Sequence, residues 1–511
     1  MGTRGGNTAW PGVRWLGYLP DMPGIVIVGA GFGGIGMGIA LKKTGYHDFV
    51  ILDKAPDLGG TWRDNQYPGC ACDVPSPLYS YSFELNPDWS HLFAPQREIW
   101  DYLRQCARKY RLDEHIRYGT TIERMDWDDN ARRWNVEAVR DGELHGYRPH
   151  AVVSAAGALH LPSYPHIPGA AGFGGTSFHS ARWDHSCDLA GRRVAVIGTG
   201  ASAIQFVPRV AEQASRLTVF QRTPPWIHPR PDVEIPARMR AAFRRAPLTA
   251  RALRDAIYLA MEARALGFTI SPTLMAPLEK MAVRHLERQV TDPALRARLT
   301  PDYTIGCKRI LLSSDYYPAL QRPNVNLVTD DITGISETGV STADGAGHPH
   351  GTVHPADVII YATGFKVIES VTSLNVAGRD GRKLAPETLE AYRGVTVTGF
   401  PNLFLLLGPN TGLGHTSVVF MIESQIQHVL SCLRMLARHK ADAIEVSEAA
   451  QRRYNDALQR RLRRAVWSEG GCDSWYLDAD GVNRTLWPGF TFEYWARTRR
   501  ARRAAYLLTG S

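Results

Sequence analysis

Two glycine-rich turns in the chain have the spacing that binds the phosphates of a dinucleotide. The first, GAGFGG at residues 29–34, fits the pattern G-x-G-x-x-G and follows the apolar run 25–28. Its glycines permit a tight turn and let a pyrophosphate approach backbone N–H groups at the start of the next helix. Asp53 lies about 20 residues further on, where a carboxylate can accept hydrogen bonds from a ribose. The residues predicted to bind this dinucleotide are Gly29, Gly31, Gly34, Asp53 and the adjacent Lys54.

The second turn, GTGASA at residues 198–203, has alanine in place of the third glycine. After the next strand an NAD site would have Asp or Glu, whereas this chain has Arg222 and Thr223, which suit the 2′-phosphate of NADP. The pattern therefore favours NADP over NAD, and a surface arginine after a strand is the alternative interpretation of Arg222. The residues predicted to bind NADP in this unit are Gly198, Thr199, Gly200, Ser202, Gln205, Arg222 and Thr223.

Residues 173–184 follow the pattern F-x-G-x-x-x-H-x-x-x-W-D, immediately before the second dinucleotide unit. In this segment the chain resembles the type I Baeyer–Villiger monooxygenases, which are class B flavoprotein monooxygenases. The related flavin-containing N- and S-oxygenases share the spacing but usually end in a different aromatic residue. The resemblance implies that these residues act at a hinge between domains and not as an acid or a base. The hinge residues are Phe173, Gly175, His179, Trp183 and Asp184.

Three further segments resemble this family: residues 59–73 (GGTWRDNQYPGCACD), the pair Lys308-Arg309, and the C-terminal region around Trp475. The resemblance implies that Lys308 serves the NADP 2′-phosphate and that Trp475 closes over the nicotinamide. A tryptophan that packs in a core is the alternative for Trp475. The residues implied to contact FAD are Gly60, Thr61, Trp62 and Tyr79.

The resemblance also implies the chemistry. Reduced FAD reacts with O₂ to give a C4a-peroxide, which must stay deprotonated until it attacks a ketone and yields an ester or lactone. Arg309 is always charged and can offer several N–H groups to the peroxide and to the developing oxyanion. Asp73 would orient that guanidinium, and an ordinary salt bridge is the alternative for the pair. We expect FAD and NADPH as cofactors and O₂ as co-substrate.

Two other functions compete with this interpretation. One is oxygenation of a soft amine or sulfide, which a protonated peroxide performs and which Arg309 opposes. The other is a redox sensor that binds both dinucleotides without oxygenase activity.

The seven cysteines are spread over the chain and do not form the dense framework of a small secreted protein. Cys70 and Cys72 are separated by one residue, unlike the redox pair of flavin disulfide reductases, so we predict that both pack in the fold or a loop. No zinc-binding pattern occurs, and no metal is predicted. A reducing cytoplasm is the expected location.

The composition is that of a large soluble protein, with 44% apolar and 21% charged residues among 511. The formal net charge of +9 comes from dispersed arginines without aromatic platforms, so no nucleic-acid partner is predicted. An anionic cofactor or a solvated Arg-rich surface accounts for the basic excess. No segment approaches the roughly 20 apolar residues that would span a bilayer. We expect a small-molecule ketone as partner and a monomer or weak homo-oligomer.

These residues require two βαβ units, one around residues 24–52 and one around 193–220, each with a β-branched strand, a glycine turn and a helix. The predicted fold is α/β, with two Rossmann-like dinucleotide-binding domains, for FAD and NADP, and a helical insertion. Residues 1–22 are predicted to be a flexible extension. The FAD domain is assigned to 23–165 and 356–511, and the NADP domain to 166–355, with the insertion at about 231–300.

Overall fold

A computed structural model describes residues 24–510 except 270, 344–350, 387–388, 473 and 479. The predicted flexible extension, residues 1–22, lies outside the described residues. None of the helices in these ranges combines the length and the apolar character needed to span a bilayer.

Strands and helices alternate along most of the described chain. The strands are β1 (Ile25–Val28), β2 (Phe49–Leu52), β3 (Ile116–Arg117), β4 (Thr120–Asp128), β5 (Arg133–Arg140), β6 (Glu143–Tyr147), β7 (Ala151–Ser154), β8 (Thr176–His179), β9 (Arg193–Ile197), β10 (Arg216–Phe220), β11 (Ile227–His228), β12 (Leu311–Leu312), β13 (Val325–Val328), β14 (Ile332–Ser336), β15 (Gly339–Thr342), β16 (Val353–Pro355), β17 (Val358–Tyr361), β18 (Val376–Ala377), β19 (Leu403–Leu405), β20 (Ala443–Val446) and β21 (Tyr506–Thr509). The helices are α1 (Phe32–Lys43), α2 (Thr61–Asp64), α3 (Gln96–Lys109), α4 (Ala203–Ala211), α5 (Ala237–Arg245), α6 (Pro247–Glu262), α7 (Ala265–Thr269), α8 (Ala276–Gln289), α9 (Pro293–Leu299), α10 (Tyr316–Leu320), α11 (Glu369–Thr372), α12 (Val418–His439), α13 (Glu448–Leu462), α14 (Val466–Glu469) and α15 (Thr491–Thr498).

The first parallel sheet has the strand order β19-β7-β1-β2-β3. In the register of its centre, Val28 of β1 lies between Leu52 of β2 and Ser154 of β7. Every residue of β1 is buried, as a β-branched strand must be when helices cover both faces of a parallel sheet. The strands end at one edge, and this edge carries the first glycine turn and Asp53.

The second parallel sheet has the order β13-β10-β9-β17-β8. With the first sheet, it confirms the predicted α/β class with two Rossmann-like units. The predicted return to the first domain at residue 356 is wrong, because β17 pairs with β9 and β8. All four β17 residues are buried, which a strand in the interior of a parallel sheet satisfies. The chain leaves the second sheet only after Tyr361.

Smaller sheets and a helical segment complete the fold. Strands β18, β4, β5 and β6 form a four-stranded sheet, and β14, β15 and β16 form an antiparallel one. Helices α5 to α9 occupy residues 237–299, between β11 and β12. Helix α12 packs against α1 and α15, which joins the C-terminal part of the chain to the first βαβ unit.

Candidate active site

The first glycine turn needs glycine for steric reasons at two positions. Gly29 has a φ of +98°, and a Cβ on Gly34 would lie 1.8 Å from the Gly29 carbonyl oxygen. Asp53 fastens this turn from β2, since one carboxylate oxygen accepts a hydrogen bond from the Ala30 N–H at 2.7 Å. The other oxygen accepts one from the Ala55 N–H at 2.9 Å. The structure therefore brings the predicted acid to the predicted turn.

A cavity of about 450 Å³ opens beside this turn. Ideal Cβ atoms at Gly31 and Gly60 would lie 3.7 Å and 3.2 Å from the opposite glycine's Cα, so side chains at both positions would narrow the cradle between them. The predicted residues that line the cavity are Gly29, Gly31, Asp53, Lys54, Gly60, Thr61, Trp62, Tyr79, Arg309 and Trp475. Gly34 and Asp73 do not line it, because Gly34 supports the turn from behind and Asp73 supports Arg309.

Aromatic side chains form one wall of the cavity. The indole N–H of Trp62 donates a hydrogen bond to the Tyr79 hydroxyl at 3.2 Å, and the Tyr79 ring meets Phe32 edge-on at 5.2 Å. Burial raises the pKa of Tyr79, which keeps its hydroxyl neutral. The wall is apolar and holds fixed hydrogen-bonding groups.

Arg63 belongs to the same cavity and was missed by sequence reasoning. Its guanidinium contacts Asp53 at 3.2 Å and Asp64 at 2.8 Å, and its side chain is only 11% exposed. The signal was present in the segment 59–73, in which Arg63 follows Trp62 directly. Arg63 extends the polar network of the first turn to helix α2.

The second glycine turn lies at the carboxyl ends of β9 and β10, outside the cavity just described. Gly198 has a φ of +107°, and a Cβ on Gly200 would meet nothing within 4 Å. Thr199 donates a hydrogen bond from its hydroxyl to the Thr223 carbonyl at 3.3 Å, and Arg222 is exposed beside it. These predicted NADP residues form one open edge, at which Ser202 precedes α4.

The side chain of Gln205, which is predicted to contact NADP, is hydrogen-bonded within the protein. Its amide oxygen accepts hydrogen bonds from the Tyr67 hydroxyl at 3.1 Å and the Ala71 N–H at 3.2 Å, while its NH₂ donates to the Ala71 carbonyl at 3.0 Å. Gln205 therefore ties α4 to the loop that leads to Asp73. Its partners lie 134 residues or more away in sequence, so its position next to the glycine turn does not predict these hydrogen bonds.

His179 of the hinge pattern lies between the two connections that join the parallel sheets. Its side chain contacts the ring of Tyr164 at 5.4 Å and that of Phe365 at 5.7 Å, one from each connection. It is fully buried, and one ring nitrogen accepts a hydrogen bond from the Ala181 N–H at 3.1 Å. Burial lowers the pKa of His179 to about 4, so the ring is neutral near pH 7.

The two connections are also hydrogen-bonded to each other. Ser163 N–H donates to the Gly364 carbonyl at 2.9 Å, and Lys366 N–H donates to the Leu161 carbonyl at 2.9 Å. They therefore form a two-stranded joint between the sheets, and His179 is buried against it.

Two further residues of the predicted hinge pattern, Phe173 and Gly175, lie beside the second sheet. Gly175 must be glycine because a Cβ there would lie 2.3 Å from the Asp357 carbonyl oxygen and 2.7 Å from the Phe173 ring. Phe173 is half-buried and packs against the core beside the second sheet.

Trp183 and Asp184 complete the pattern outside the cavity. The Trp183 ring meets Phe178 at 5.2 Å and Phe206 of α4 at 5.3 Å. The Asp184 carboxylate accepts hydrogen bonds from the Ser186 N–H at 2.9 Å and hydroxyl at 2.6 Å, which fixes the turn after the tryptophan. Of the five predicted hinge residues, His179 thus contacts the joint, while Phe173, Gly175, Trp183 and Asp184 make the other contacts within the protein just described.

Arg309 and Asp73 meet at the cavity although 236 residues separate them. The guanidinium of Arg309 donates to an Asp73 carboxylate oxygen at 2.7 Å, and this carboxylate raises the pKa of Arg309. The Arg309 side chain is 41% exposed and lines the cavity, so it has N–H groups to offer there. Lys308 is half-buried, with its ammonium group 5.1 Å from the centre of the Tyr303 ring.

Tyr476 is a second cavity residue that sequence reasoning missed. It is 2% exposed, and its ring lies 4.5 Å from that of Trp475, which is 53% exposed. Burial raises the pKa of Tyr476 to about 12, while the charge of Arg309 opposes this rise. Tyr476 is therefore a neutral hydroxyl close to Arg309, and only its position beside Trp475 could have indicated it.

The cysteines differ from expectation at one place. Cys70 and Cys72 are buried free thiols, as predicted, and burial raises the pKa of Cys70 to about 12. Cys307 and Cys472, for which no pairing was predicted, form a disulfide. Within the described residues, no group of three or more His, Cys, Asp or Glu side chains is arranged to hold a metal ion.

Comparisons with known proteins agree with this geometry. Residues 26–255 match the family model described as pyridine nucleotide-disulphide oxidoreductase. The chain is 48% identical over 489 residues to a Baeyer–Villiger monooxygenase of Pseudomonas aeruginosa, covering 95% of this chain and 91% of that protein. It is 48% identical over 487 residues to one of Streptomyces coelicolor, covering 94% and 92%.

Solved structures with the same architecture contain dinucleotides. OTEMO in complex with FAD and NADP superposes with a TM-score of 0.83 at 27% identity, covering 96% of this chain and all of that one. An oxidised steroid monooxygenase bound to NADP gives a TM-score of 0.83 at 29% identity, covering 95% and 99%.

Two parallel sheets with glycine turns, a hydrogen-bonded joint between them and a cavity with an arginine at its wall define a nucleotide-dependent oxidoreductase. With nearly half of its residues identical to two such enzymes over almost its full length, the chain belongs to the Baeyer–Villiger monooxygenase family. The resemblance inferred from the sequence motifs is confirmed.

Proposed function

We propose that this protein is an FAD-dependent monooxygenase that uses NADPH and O₂ to convert a ketone into an ester or lactone. The single observation that carries this function is the Arg309–Asp73 pair at the wall of the cavity beside the first glycine turn. The chain's membership of the Baeyer–Villiger family supports the same conclusion.

The residues around the cavity fit FAD. The glycine cradle accommodates a pyrophosphate, Asp53 and Arg63 supply polar groups near the turn, and the Trp62–Tyr79 wall suits a flat aromatic ring system. The residues that we assign to FAD are Gly29, Gly31, Gly34, Asp53, Lys54, Gly60, Thr61, Trp62 and Tyr79.

The edge of the second sheet fits NADP. Its open turn at Gly200 leaves room for phosphate groups, and Arg222 and Thr223 follow the strand next to it. We assign Lys308 and Trp475 to the same cofactor, and we assign Gln205 the task of positioning α4. The remaining residues that we assign to NADP are Gly198, Thr199, Gly200, Ser202, Arg222 and Thr223.

Bound FAD, once reduced by NADPH, supplies the chemistry that places one atom of O₂ in the ketone and releases the other as water. Arg309 stabilises the negative charge that develops on oxygen during this reaction, because its guanidinium remains protonated and offers fixed N–H donors. Asp73 orients Arg309 and raises the pKa of its guanidinium, which keeps that group protonated. The buried aromatic wall limits access of water, which strengthens these interactions.

The first test uses the protein as purified, with its bound flavin. A panel of cyclic, linear and aryl ketones is incubated with NADPH in air, and products are analysed by mass. We expect a gain of one oxygen atom with at least one ketone. A protein that takes up no flavin, or that gives only hydrogen peroxide with every ketone, would contradict the proposal. Products from thioethers alone would favour the rival function, heteroatom oxygenation.

We also propose that the enzyme works in the cytoplasm on a small-molecule ketone, as a monomer or weak homo-oligomer. Light scattering during size-exclusion chromatography at several concentrations tests the assembly. A concentration-independent oligomer would contradict it.

A further inference from the structure

The disulfide between Cys307 and Cys472 joins two segments of the cavity wall that are 165 residues apart in sequence. Cys307 lies two residues before Arg309, so the two Cα atoms are at most about 7 Å apart. Cys472 lies shortly before Trp475 and Tyr476. The side chains of Arg309, Trp475 and Tyr476 line the cavity. The bond therefore connects the segment that carries Arg309 with the segment that carries Trp475 and Tyr476.

Contacts around Cys307 are dense on its own side of the disulfide. Cys307 is fully buried, and the neighbouring Gly306 lies against Phe268 and Met275 of the helical segment. The Thr304 N–H also donates a hydrogen bond to the Gly470 carbonyl at 3.0 Å. Cys307 is thus an anchored end.

The segment on the other side has little regular secondary structure. Among the described residues of 470–478, none belongs to a helix or a named strand, and Leu477 makes an isolated bridge to Asn483. Trp475 is half-exposed. The disulfide is the covalent constraint on this segment, which is also held by the buried Tyr476 ring and by the ion pair of Asp478 with Arg484 at 2.6 Å.

We propose that Cys307 and Cys472 form a redox-responsive tether that positions Trp475 and Tyr476 against Arg309 and thereby sets how much NADPH oxidation ends in oxygenated product. This inference rests on the proposed monooxygenase function. In the disulfide form Trp475 and Tyr476 are held in place beside Arg309, and the oxygenated product predominates. In the dithiol form these two side chains move more freely, water enters, and more hydrogen peroxide is released.

A disulfide in a protein expected in a reducing compartment is usually responsive and not a permanent staple. Cys472 is partly exposed, which gives a reductant or oxidant access to one sulfur. Hydrogen peroxide is a sufficient oxidant: two thiols and one H₂O₂ give one disulfide and two waters, so both electrons and both thiol hydrogens go to the peroxide. A dithiol reverses the change and becomes a disulfide itself. The enzyme's own leaked peroxide would therefore restore the tight form.

The first measurement asks whether the tether forms in the holoenzyme. Free thiols are alkylated under denaturing conditions without reductant, and peptides are identified by mass before and after treatment with hydrogen peroxide. We expect Cys307 and Cys472 to be protected together, and to be labelled together after dithiothreitol. Full labelling of both residues after peroxide would overturn the proposal.

The second measurement compares the coupling of the two forms. The protein is reduced with dithiothreitol, desalted without air, and assayed briefly with the ketone found active, alongside the oxidised protein. We expect ester formed per NADPH to fall by about threefold or more on reduction, the effect of slightly misplacing catalytic groups. The rate of flavin reduction is measured at saturating NADPH, because Trp475 is assigned to NADP and loosening it changes the NADPH concentration that is needed. At saturation this rate should change less than about twofold, since hydride transfer does not use Arg309.

Variants separate positioning from stability. Cys472→Ser should behave as the reduced protein under all conditions, and Cys187→Ser, which alters a partly exposed free thiol elsewhere, should respond to dithiothreitol like the unaltered protein. If Cys472→Ser lowers the melting temperature but leaves ester per NADPH unchanged, the disulfide is merely structural and the proposal fails. Cys307→Ser serves the same comparison if Cys472→Ser does not fold.

Hydrogen exchange distinguishes failure of the tether from failure of the proposed function. Peptides covering 303–312 and 470–478 should exchange faster in the reduced holoenzyme, whatever reaction it catalyses. If no ketone gives an ester but exchange responds, the proposed function fails while the tether remains. If exchange in both peptides is the same in both redox forms, the tether is wrong even in an active enzyme.

Discussion

At the scale of single residues, the charge of Arg309 matters most. The Asp73 carboxylate raises its pKa, so the guanidinium holds its proton throughout the range in which the enzyme can fold. The pair costs desolvation, but the opening of Arg309 to the cavity leaves part of its hydrogen-bonding capacity for the reacting oxygen. A salt bridge serving only stability would not need that opening.

Replacing Arg309 by alanine tests this role. We expect flavin content and flavin reduction by NADPH to be retained, and ester formation to fall by about 100-fold or more, as for loss of a donor that stabilises developing charge. Stopped-flow absorbance and product mass measure the two steps. Arg97→Ala, which removes an exposed arginine on α3, is the control and should change neither. Unchanged ester yield in Arg309→Ala would refute the assigned role.

Arg222 is the residue that we propose to distinguish NADPH from NADH. Arg222→Ala should raise KM for NADPH by about tenfold or more, because a charge-assisted contact to the 2′-phosphate is lost, and should change KM for NADH little. Steady-state kinetics with both cofactors measure the ratio. Arg216→Ala, at the other end of β10, is the matched control. An equal effect on both cofactors would show that Arg222 does not read the phosphate.

At the scale of elements, the first βαβ unit depends on close contact between its turn and helix α1. Gly34→Ala places a methyl group 1.8 Å from the Gly29 carbonyl oxygen, a separation that forces the backbone to move. We expect the variant to lose bound flavin and its yellow colour, which absorbance of the purified protein measures. Gly146→Ala, on strand β6 with nothing within 4 Å of the added Cβ, should keep full flavin content. Normal flavin content in Gly34→Ala would contradict the steric argument.

Elements with a local signature could be predicted from the sequence. The sequence of residues 25–34 and of residues 193–203 predicts a strand, a turn and the start of a helix within one continuous stretch. The reason is that a buried parallel strand is rich in β-branched residues and that the turn needs glycine. The Arg309–Asp73 pair was accessible only through the family resemblance, since neither residue identifies its partner locally. Other features depend on contacts between segments that are distant in sequence, and no periodicity or spacing of residues predicts such contacts. These features are the position of Tyr476 at the cavity, the hydrogen bonds of Gln205 and the pairing of β17 in the second sheet.

At the scale of the whole molecule, the two sheets are linked by a hydrogen-bonded joint with buried His179 against it. Most of the residues that we propose for FAD line the cavity beside the first sheet, whereas the second glycine turn, proposed for NADP, lies on the edge of the second sheet; Trp475, also proposed for NADP, lines the cavity. Movement at the joint would change the distance between these groups, as a reaction requires when NADP must both deliver hydride and stay bound. His179 is neutral and buried, which suits a packing role there and not proton transfer.

Buried histidines also govern how the stability of the whole protein depends on pH. Burial lowers the pKa of His179 and His228 to about 4 and that of His428 to about 3, from an ordinary value near 6.5. At pH values between the lowered pKa and the ordinary pKa, these histidines bind protons in the unfolded chain but not in the folded chain. The stabilisation is therefore complete above about pH 6.5 and is lost progressively as pH falls toward 4, by up to about 3 kcal/mol for one such histidine. Hydrogen bonds from Arg193 lower the pKa of Asp357 to about 2, so this carboxylate affects the stability only in a more acidic range.

We therefore expect the melting temperature of the holoenzyme to fall between about pH 7 and about pH 5, before most carboxylates titrate. His428→Gln should flatten this fall, because glutamine does not titrate. In the unaltered protein the fully buried His428 ring donates a hydrogen bond from Nδ1–H to the Thr498 carbonyl, and its Nε2 is hydrogen-bonded to the Tyr506 hydroxyl. His439→Gln, at the exposed end of the same helix α12, should leave the slope unchanged. Differential scanning fluorimetry at constant ionic strength and constant FAD concentration measures all three proteins. Equal slopes for His428→Gln and the unaltered protein would mean that the pKa of this histidine is the same in the folded and the unfolded chain, because a group that titrates alike in both states adds nothing to the dependence on pH.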